Sequence, residues 1–167
     1  MVGTIRGRGV DGVPQEFVVH EQPVWGTRAS FLIHAELPLQ DQPKRLEQLW
    51  ARQLEDGTFE VCCIPFFVYD LALGDVVATS AKSGQKYVVD KVITPSGRYV
   101  FRAWFGQSFQ PRDEIAGELK ALGSLVEWSS RNLLAVDAAD EEHGRLVAGF
   151  LMEREKAGHL IYETGRS

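Results

Sequence analysis

His34 and Glu36 are the residues whose types and spacing come closest to chemistry in this 167-residue chain. They stand two apart in a segment that alternates like a β-strand, so both side chains leave on one face. A carboxylate beside an imidazole raises the imidazole pKa and makes an acid/base pair. The competing explanation is a polar strand edge facing solvent. Asp75 and Asp90 are the other polar candidates, either for acid/base work or for holding a small molecule in a cleft between two halves of the chain. The four histidines are scattered along the chain. Cys62 and Cys63 are adjacent, so on a strand they point to opposite faces. Neither set has metal-ligand spacing, and no metal or other cofactor is expected.

A second constellation is acidic: Asp137, Asp140, Glu141 and Glu142. Carboxylate oxygens suit Mg²⁺ or Ca²⁺, but acidic residues at a helix start are already explained by capping and by the helix dipole. With Trp128, the cluster Asp140, Glu141 and Glu142 is a candidate docking surface for a basic protein. The chain has no Gly-rich phosphate loop, no His-Glu-x-x-His, no Cys-x-x-Cys and no nucleophile elbow.

The elements that must position these residues fall into two kinds. Residues 1–16 carry four glycines with little periodicity and read as a flexible extension. Residues 17–20 and 29–36 read as short strands, and Pro38, Asp41 and Pro43 mark a loop. The segments 49–55 and 58–64 flank Asp56-Gly57, which predicts a tight hairpin. Gly74 and Asp75 form a bend into a further strand. Residues 86–93 and 98–105 are expected to pair across Thr94–Gly97. Residues 17–97 therefore read as a bent antiparallel β-sheet or small partial barrel.

Near Gln110 the apolar period changes from two to about 3.6. Ile115, Leu119 and Leu122 lie at helical spacing between Pro111 and Gly123, and Leu146, Val147, Phe150 and Leu151 do so between Asp140 and Gly158. Residues 98–165 then run strand, helix, strand, strand, helix, strand. Right-handed crossovers would place both helices on one face of an antiparallel sheet, a ferredoxin-like βαββαβ unit. The fold class expected is α+β.

The stretch Leu49-Trp50-Ala51 … Asp56-Gly57 … Ile64-Pro65-Phe66-Phe67 … Leu73-Gly74-Asp75-Val76-Val77 … Pro95-Ser96-Gly97 resembles a bacterial family catalogued as domain of unknown function 4265. The likeness covers roughly residues 31–165, and Leu133–Asp137 also fits the pattern. It implies no catalytic residues. The motif residues read as structural: the glycines occupy turns, Pro65 ends a strand, and Phe66 and Phe67 belong to a core.

The net charge is −5, and residues 106–167 carry most of it, with 11 acidic and 7 basic side chains. A nucleic-acid ligand is disfavoured by the lack of a basic face. No segment is apolar enough to span a bilayer, and the N-terminal residues lack the apolar core of a secretory signal. Together with two unpaired cysteines this predicts a cytoplasmic setting. Small size, an acidic second half and the missing catalytic motifs favour a non-enzymatic binding protein, an inhibitor- or immunity-type partner of a basic protein. The alternative is a small-molecule-binding protein or enzyme with its site in a cleft between the two subdomains.

Overall fold

The structure, a computed structural model, describes residues 3–38, 44–106 and 111–166. The loop expected around Asp41 and Pro43 lies outside the described residues. Local turn chemistry builds the first half. Strand β4 (Lys44–Gln53) returns as β5 (Phe59–Val61) through Asp56-Gly57. Gly57 takes a φ of +82°, and the Asp56 carboxylate accepts the Thr58 N–H at 3.0 Å. Strands β6 (Val76–Lys82) and β7 (Gln85–Thr94) turn at Ser83 and Gly84, whose φ values are +54° and +70°. Two positive φ angles in succession match the right-handed twist of the flanking strands.

Strand β3 (Phe31–Glu36) pairs antiparallel with β4 and meets β7 in parallel at His34–Val88. Since β4 also pairs with β5, the order β4-β3-β7-β6-β5 closes into a small five-stranded barrel-like sheet. Its interior is filled by Ile33, Leu49, Ala51, Phe59, Val61 and Val77. Phe31, Phe59 and Tyr87 pack ring to ring at 5.0–5.5 Å.

Three expectations change. The sheet expected to be antiparallel is mixed, since β3 meets β7 in parallel and residues 15–18 run parallel to 44–47. Residues 86–93 and 98–105 do not pair. β7 lies between β3 and β6, while β8 (Tyr99–Trp104) joins the second sheet. Closure of the barrel engages β7 on both edges, and where the chain leaves it the Asp75 carboxylate accepts the Ser96 N–H at 2.8 Å, next to Pro95, which has no N–H to offer. Residues 4–8, read as part of an extension, form strand β1 (Thr4–Arg8). It pairs along its whole length with β2 (Pro14–Val18), which in turn runs parallel to β4. Gly12, at φ +78°, closes that hairpin, and its N–H bonds the Gly9 carbonyl.

The second sheet has the order β11-β8-β10-β9, antiparallel throughout, with β9 (Leu125–Trp128), β10 (Leu133–Ala138) and β11 (Ile161–Thr164). Helix α1 (Arg112–Ala121) follows β8, and α2 (Glu141–Lys156) follows β10. The Asp140 side chain caps α2 by accepting the His143 N–H at 2.8 Å. Gly123 and Gly158, at φ +93° and +78°, end the two helices. Ile115, Leu119, Val147 and Leu151 pack on Phe101, Ala103, Leu134 and Val136, so both helices cover the same side of the sheet. The alternate residues Val100 and Ala135 face the other way and meet Val18, Ile64, Phe66 and Leu73 of the barrel side. This sheet is therefore covered on both faces, which explains why β8 and β10 are buried nearly end to end. No helix among the described residues is long and apolar enough to cross a membrane.

Gly74 turns the chain into β6. It sits at φ +82°, and a Cβ there would meet Ser96 at 3.2 Å and the Trp25 ring at 3.3 Å. Gly74→Ala is expected to cost roughly 1–3 kcal/mol in urea denaturation, from backbone strain and crowding together. A loss below about 0.5 kcal/mol would show that the site relaxes freely.

Candidate functional site

The expected acid/base pair is split by its surroundings. His34 is buried against Phe17, with ring centroids 5.4 Å apart. Burial lowers its pKa to about 4, so at neutral pH it is uncharged. Glu36 is exposed at the strand end, where the Ser83 hydroxyl and then Lys44 hold its carboxyl below the usual range. Asp75 is buried and clamps a turn, accepting the Ala72 N–H at 2.9 Å and the Ser96 N–H at 2.8 Å. Asp90 lies on the barrel surface, bonded to Lys82 and Ser80. The structure does not bring these four together.

Of the acidic set, Asp137 is buried and bonded to the Arg98 guanidinium. Asp140 is engaged as the α2 cap and Glu141 pairs with Arg145. Trp128 stands level with Leu134 near the start of β10, and Asp140 follows its end. At about 3.4 Å per strand residue, these two are separated by most of the sheet's length.

The densest polar chemistry lies instead at His20, Glu47 and Glu127. His20 is buried just after β2, with its ring stacked on Phe66 at 3.9 Å. Its Nδ1 lies 2.9 Å from Glu127 Oε1 and its Nε2 2.8 Å from Glu47 Oε1. Both carboxylates are buried too. The loop 64–68 secures them: Phe66, Phe67 and Val68 donate their N–H groups to Glu47 at 2.6, 2.9 and 3.1 Å. Ile64 donates to Glu127 at 2.5 Å. Pro65, with no N–H to satisfy, sits between the two sets. Successive amides of this kind form an anion-binding nest.

Two acceptors flanking one ring require both ring nitrogens to donate, which is the imidazolium form. Burial opposes that charge, but the adjacent Cys63 and the carboxylates of Glu127 and Glu47 outweigh it and hold the His20 pKa well above the ordinary value. Burial likewise opposes the Glu47 charge, and the His20 bond, the His20 charge and the loop amides bring its pKa below the ordinary range. Cys63 is buried beside the ring, and burial raises its thiol pKa despite the His20 charge. A cysteine, an imidazole and a carboxylate in contact are the parts of a nucleophile relay. Here the base is already protonated and the thiol stays neutral, so the set acts as a clamp. It joins the N-terminal strands, the barrel and β9 of the second sheet. Among the described residues no group of His, Cys, Asp and Glu is arranged to hold a metal ion.

The clamp positions an open cleft. The Val68 carbonyl, fixed from one side by the bond from Val68 N–H to Glu47, accepts from Arg102 Nη2 at 2.5 Å on the other. Arg102 lies mid-strand in β8, on the face turned to the barrel, between Glu163 of β11 and Ala135 of β10. Its side chain is 3% exposed. Tyr69 stacks on the guanidinium at 4.9 Å, and Glu163 Oε1 is 3.5 Å from Nη1. Arg102 Nε and Nη1 have no hydrogen-bond acceptor among the described residues.

One row further along the sheet the barrel no longer covers this face, and Trp104, Leu133 and Ile161 stand side by side. Trp104 is 46% and Ile161 57% exposed. With Phe67, Ser130, Tyr162 and Glu163 they border a cleft of about 540 Å³ floored by Arg102. A second cleft of about 400 Å³ is bordered by Asp75, Arg98, Tyr99 and Arg166, but there Asp75 is engaged by turn amides and Arg98 by Asp137.

None of His20, Glu47, Glu127 and Arg102 stands out as a candidate by motif. The available signal was a charged residue inside an otherwise apolar strand pattern, as in Leu46-Glu47-Gln48-Leu49, Leu125-Val126-Glu127-Trp128 and Val100-Phe101-Arg102-Ala103. A charge at such a position is either solvated or paired in the interior.

These features define a mixed α+β protein in which a five-stranded barrel-like sheet is clamped to a helix-backed sheet by a buried carboxylate–imidazolium–carboxylate bridge. The chain belongs to the family described as a domain of unknown function, DUF4265, whose model matches residues 47–162. That span includes Glu47, Arg102 and Glu127, and His20 precedes it. The crystal structure of a hypothetical protein from Neisseria gonorrhoeae is similar, with a TM-score of 0.68 at 21% identity over 81% of this chain and 93% of that one. At that identity the likeness concerns the fold. No curated protein matches the chain.

Proposed function

We propose that this is a non-enzymatic binding protein whose ligand is a small molecule seated in the cleft over Arg102, between loop 64–68 and the second sheet. The observation that carries this reading is a buried guanidinium with two unsatisfied nitrogens beneath an exposed apolar shelf. Concave, largely apolar sites with a few fixed polar groups are the usual form of small-molecule pockets. The clamp supports the reading, since it holds Phe67 and Val68, and through Val68 the guanidinium, in one arrangement before any ligand arrives. Docking of a basic protein at Trp128, Asp140, Glu141 and Glu142 has less support, because Asp140 and Glu141 already have partners within α2.

We also read residues 98–165 as a ferredoxin-like βαββαβ unit, a reading supported by the strand order β11-β8-β10-β9 and by both helices packing on one side. A cytoplasmic setting fits Cys62 and Cys63, both buried and free.

The test is an amide-resolved NMR titration of the full chain with naphthalene-2-carboxylate and with naphthalene-2-carboxamide. Saturable shifts confined to the backbone around Phe67, Arg102, Trp104 and Ile161 are expected for at least one probe. Trp104→Ala should weaken that binding about tenfold or more without unfolding the protein, since an aromatic shelf supplies much of the contact and the ring is half-exposed. Shifts that map elsewhere, or no saturable shift from either probe, overturn the reading.

A further inference from the structure

We infer that the cleft over Arg102 selects a monocarboxylate carried on a flat apolar body; the inference rests on the cleft being the ligand site. The Arg102 side chain is almost wholly removed from water, and a buried cation is costly unless acceptors surround it. Nη2 is satisfied by the Val68 carbonyl, whereas Nε and Nη1 are not bonded within the described residues. The ion pair to Glu163 at 3.5 Å is longer than a hydrogen bond, and both Glu163 oxygens are engaged by the Tyr69 hydroxyl at 2.9 Å. A guanidinium has only donors to offer, so its complement is an acceptor, and a charged acceptor makes the stronger bond. In a shielded site such a bond gains further strength.

The surroundings narrow the class. Arg102 is the sole basic residue bordering the cleft among the described residues, and Glu163 stands beside it. A phosphate dianion would face that carboxylate with a single countercharge, and among the described residues no lysine or helix N-terminus lines the cleft to help. One negative charge matches what Arg102 can neutralise. The rest of the ligand meets Trp104, Leu133 and Ile161, a row of side chains running straight across three strands. Such a row favours a flat apolar body over a polar or branched one.

Isothermal titration of the full chain with naphthalene-2-carboxylate and naphthalene-2-carboxamide tests this. The carboxylate is expected to bind at least about tenfold tighter than the amide, the scale of one charge-assisted hydrogen bond. Arg102→Met should abolish the difference, and Glu163→Gln should enlarge it by removing the competing charge. If Arg102→Met fails to fold, the Glu163→Gln arm decides, because Glu163 is half-exposed. Equal binding of acid and amide, or no gain for the acid in Glu163→Gln, overturns the carboxylate inference while leaving the cleft as a binding site. Absence of binding by both probes removes the cleft reading as well.

Discussion

Replacing His20 by alanine is expected to lower the unfolding free energy by roughly 3–5 kcal/mol, the usual cost of removing one partner from a buried ion pair. The loss has two sources. The side chain stacked on Phe66 leaves a void. More importantly, Glu47 and Glu127 stay buried with no cation between them. The loop amides hold each carboxylate in place, so neither can relax toward solvent without breaking bonds from Ile64, Phe66, Phe67 and Val68. Glu127→Gln keeps the shape and an acceptor and removes the charge; an intermediate loss of about 1–3 kcal/mol is expected, as for one hydrogen bond to a charged group. Urea denaturation at neutral pH measures both variants. If His20→Ala unfolds entirely, Glu127→Gln still reads the clamp. A loss under about 1 kcal/mol in both would show that the bridge contributes little.

The second large effect is on pH dependence. The folded-state pKa of His20 is raised above its ordinary value of 6.5. Its stabilisation is therefore complete below pH 6.5 and disappears as pH rises through the folded-state value. The folded-state pKa of Glu47 is depressed below its ordinary value of 4.5. Its stabilisation is present above pH 4.5 and disappears as pH falls through the folded-state value. His34 acts in the same acidic direction. Its pKa falls from 6.5 to about 4 on folding, so between those values the unfolded chain binds more protons and stability declines as pH falls. Stability should thus be greatest near neutrality and decline on both sides. His20 begins the alkaline decline, and the buried thiols of Cys62 and Cys63, whose pKa values burial raises above 9.0, add to it at higher pH. The His20 part has a separate signature: the His20 ring nitrogens, followed by NMR, should report an imidazolium at pH values where free histidine is neutral. A His20 ring that titrates near 6.5 contradicts the clamp directly, whatever the denaturation curves show.

The two effects concern the same assembly that positions the cleft. Loosening the clamp frees loop 64–68, and with it Phe67 and the Val68 carbonyl that anchors Arg102. Variants of Glu127 are therefore expected to affect ligand affinity although Glu127 does not border the cleft.

Much of the fold follows from chemistry that acts within a few residues. Asp56-Gly57 can only turn tightly, Asp140 has a helix N-terminus to cap, and Gly123 and Gly158 tolerate the left-handed backbone at which helices stop. The change of apolar period near Gln110 likewise placed α1 and α2. Partner choice between strands is less local. Residues 86–93 alternate in the same way whether they pair with β8 or lie between β3 and β6, and only barrel closure decided the outcome.

The candidate site residues depended on tertiary structure altogether. His20 meets Glu47 across 27 positions and Glu127 across 107, and no spacing rule reaches that far. His34 and Glu36 share a strand face, yet one is buried neutral and the other exposed and charged, because a face says nothing about what packs on it. Val100, Arg102 and Trp104 read alike as alternate residues of one strand. Where the barrel rests on that face it buried Val100 and Arg102, and where the barrel ends it left Trp104 open. Side-chain period is a property of one strand, whereas burial is a property of the layers placed against it.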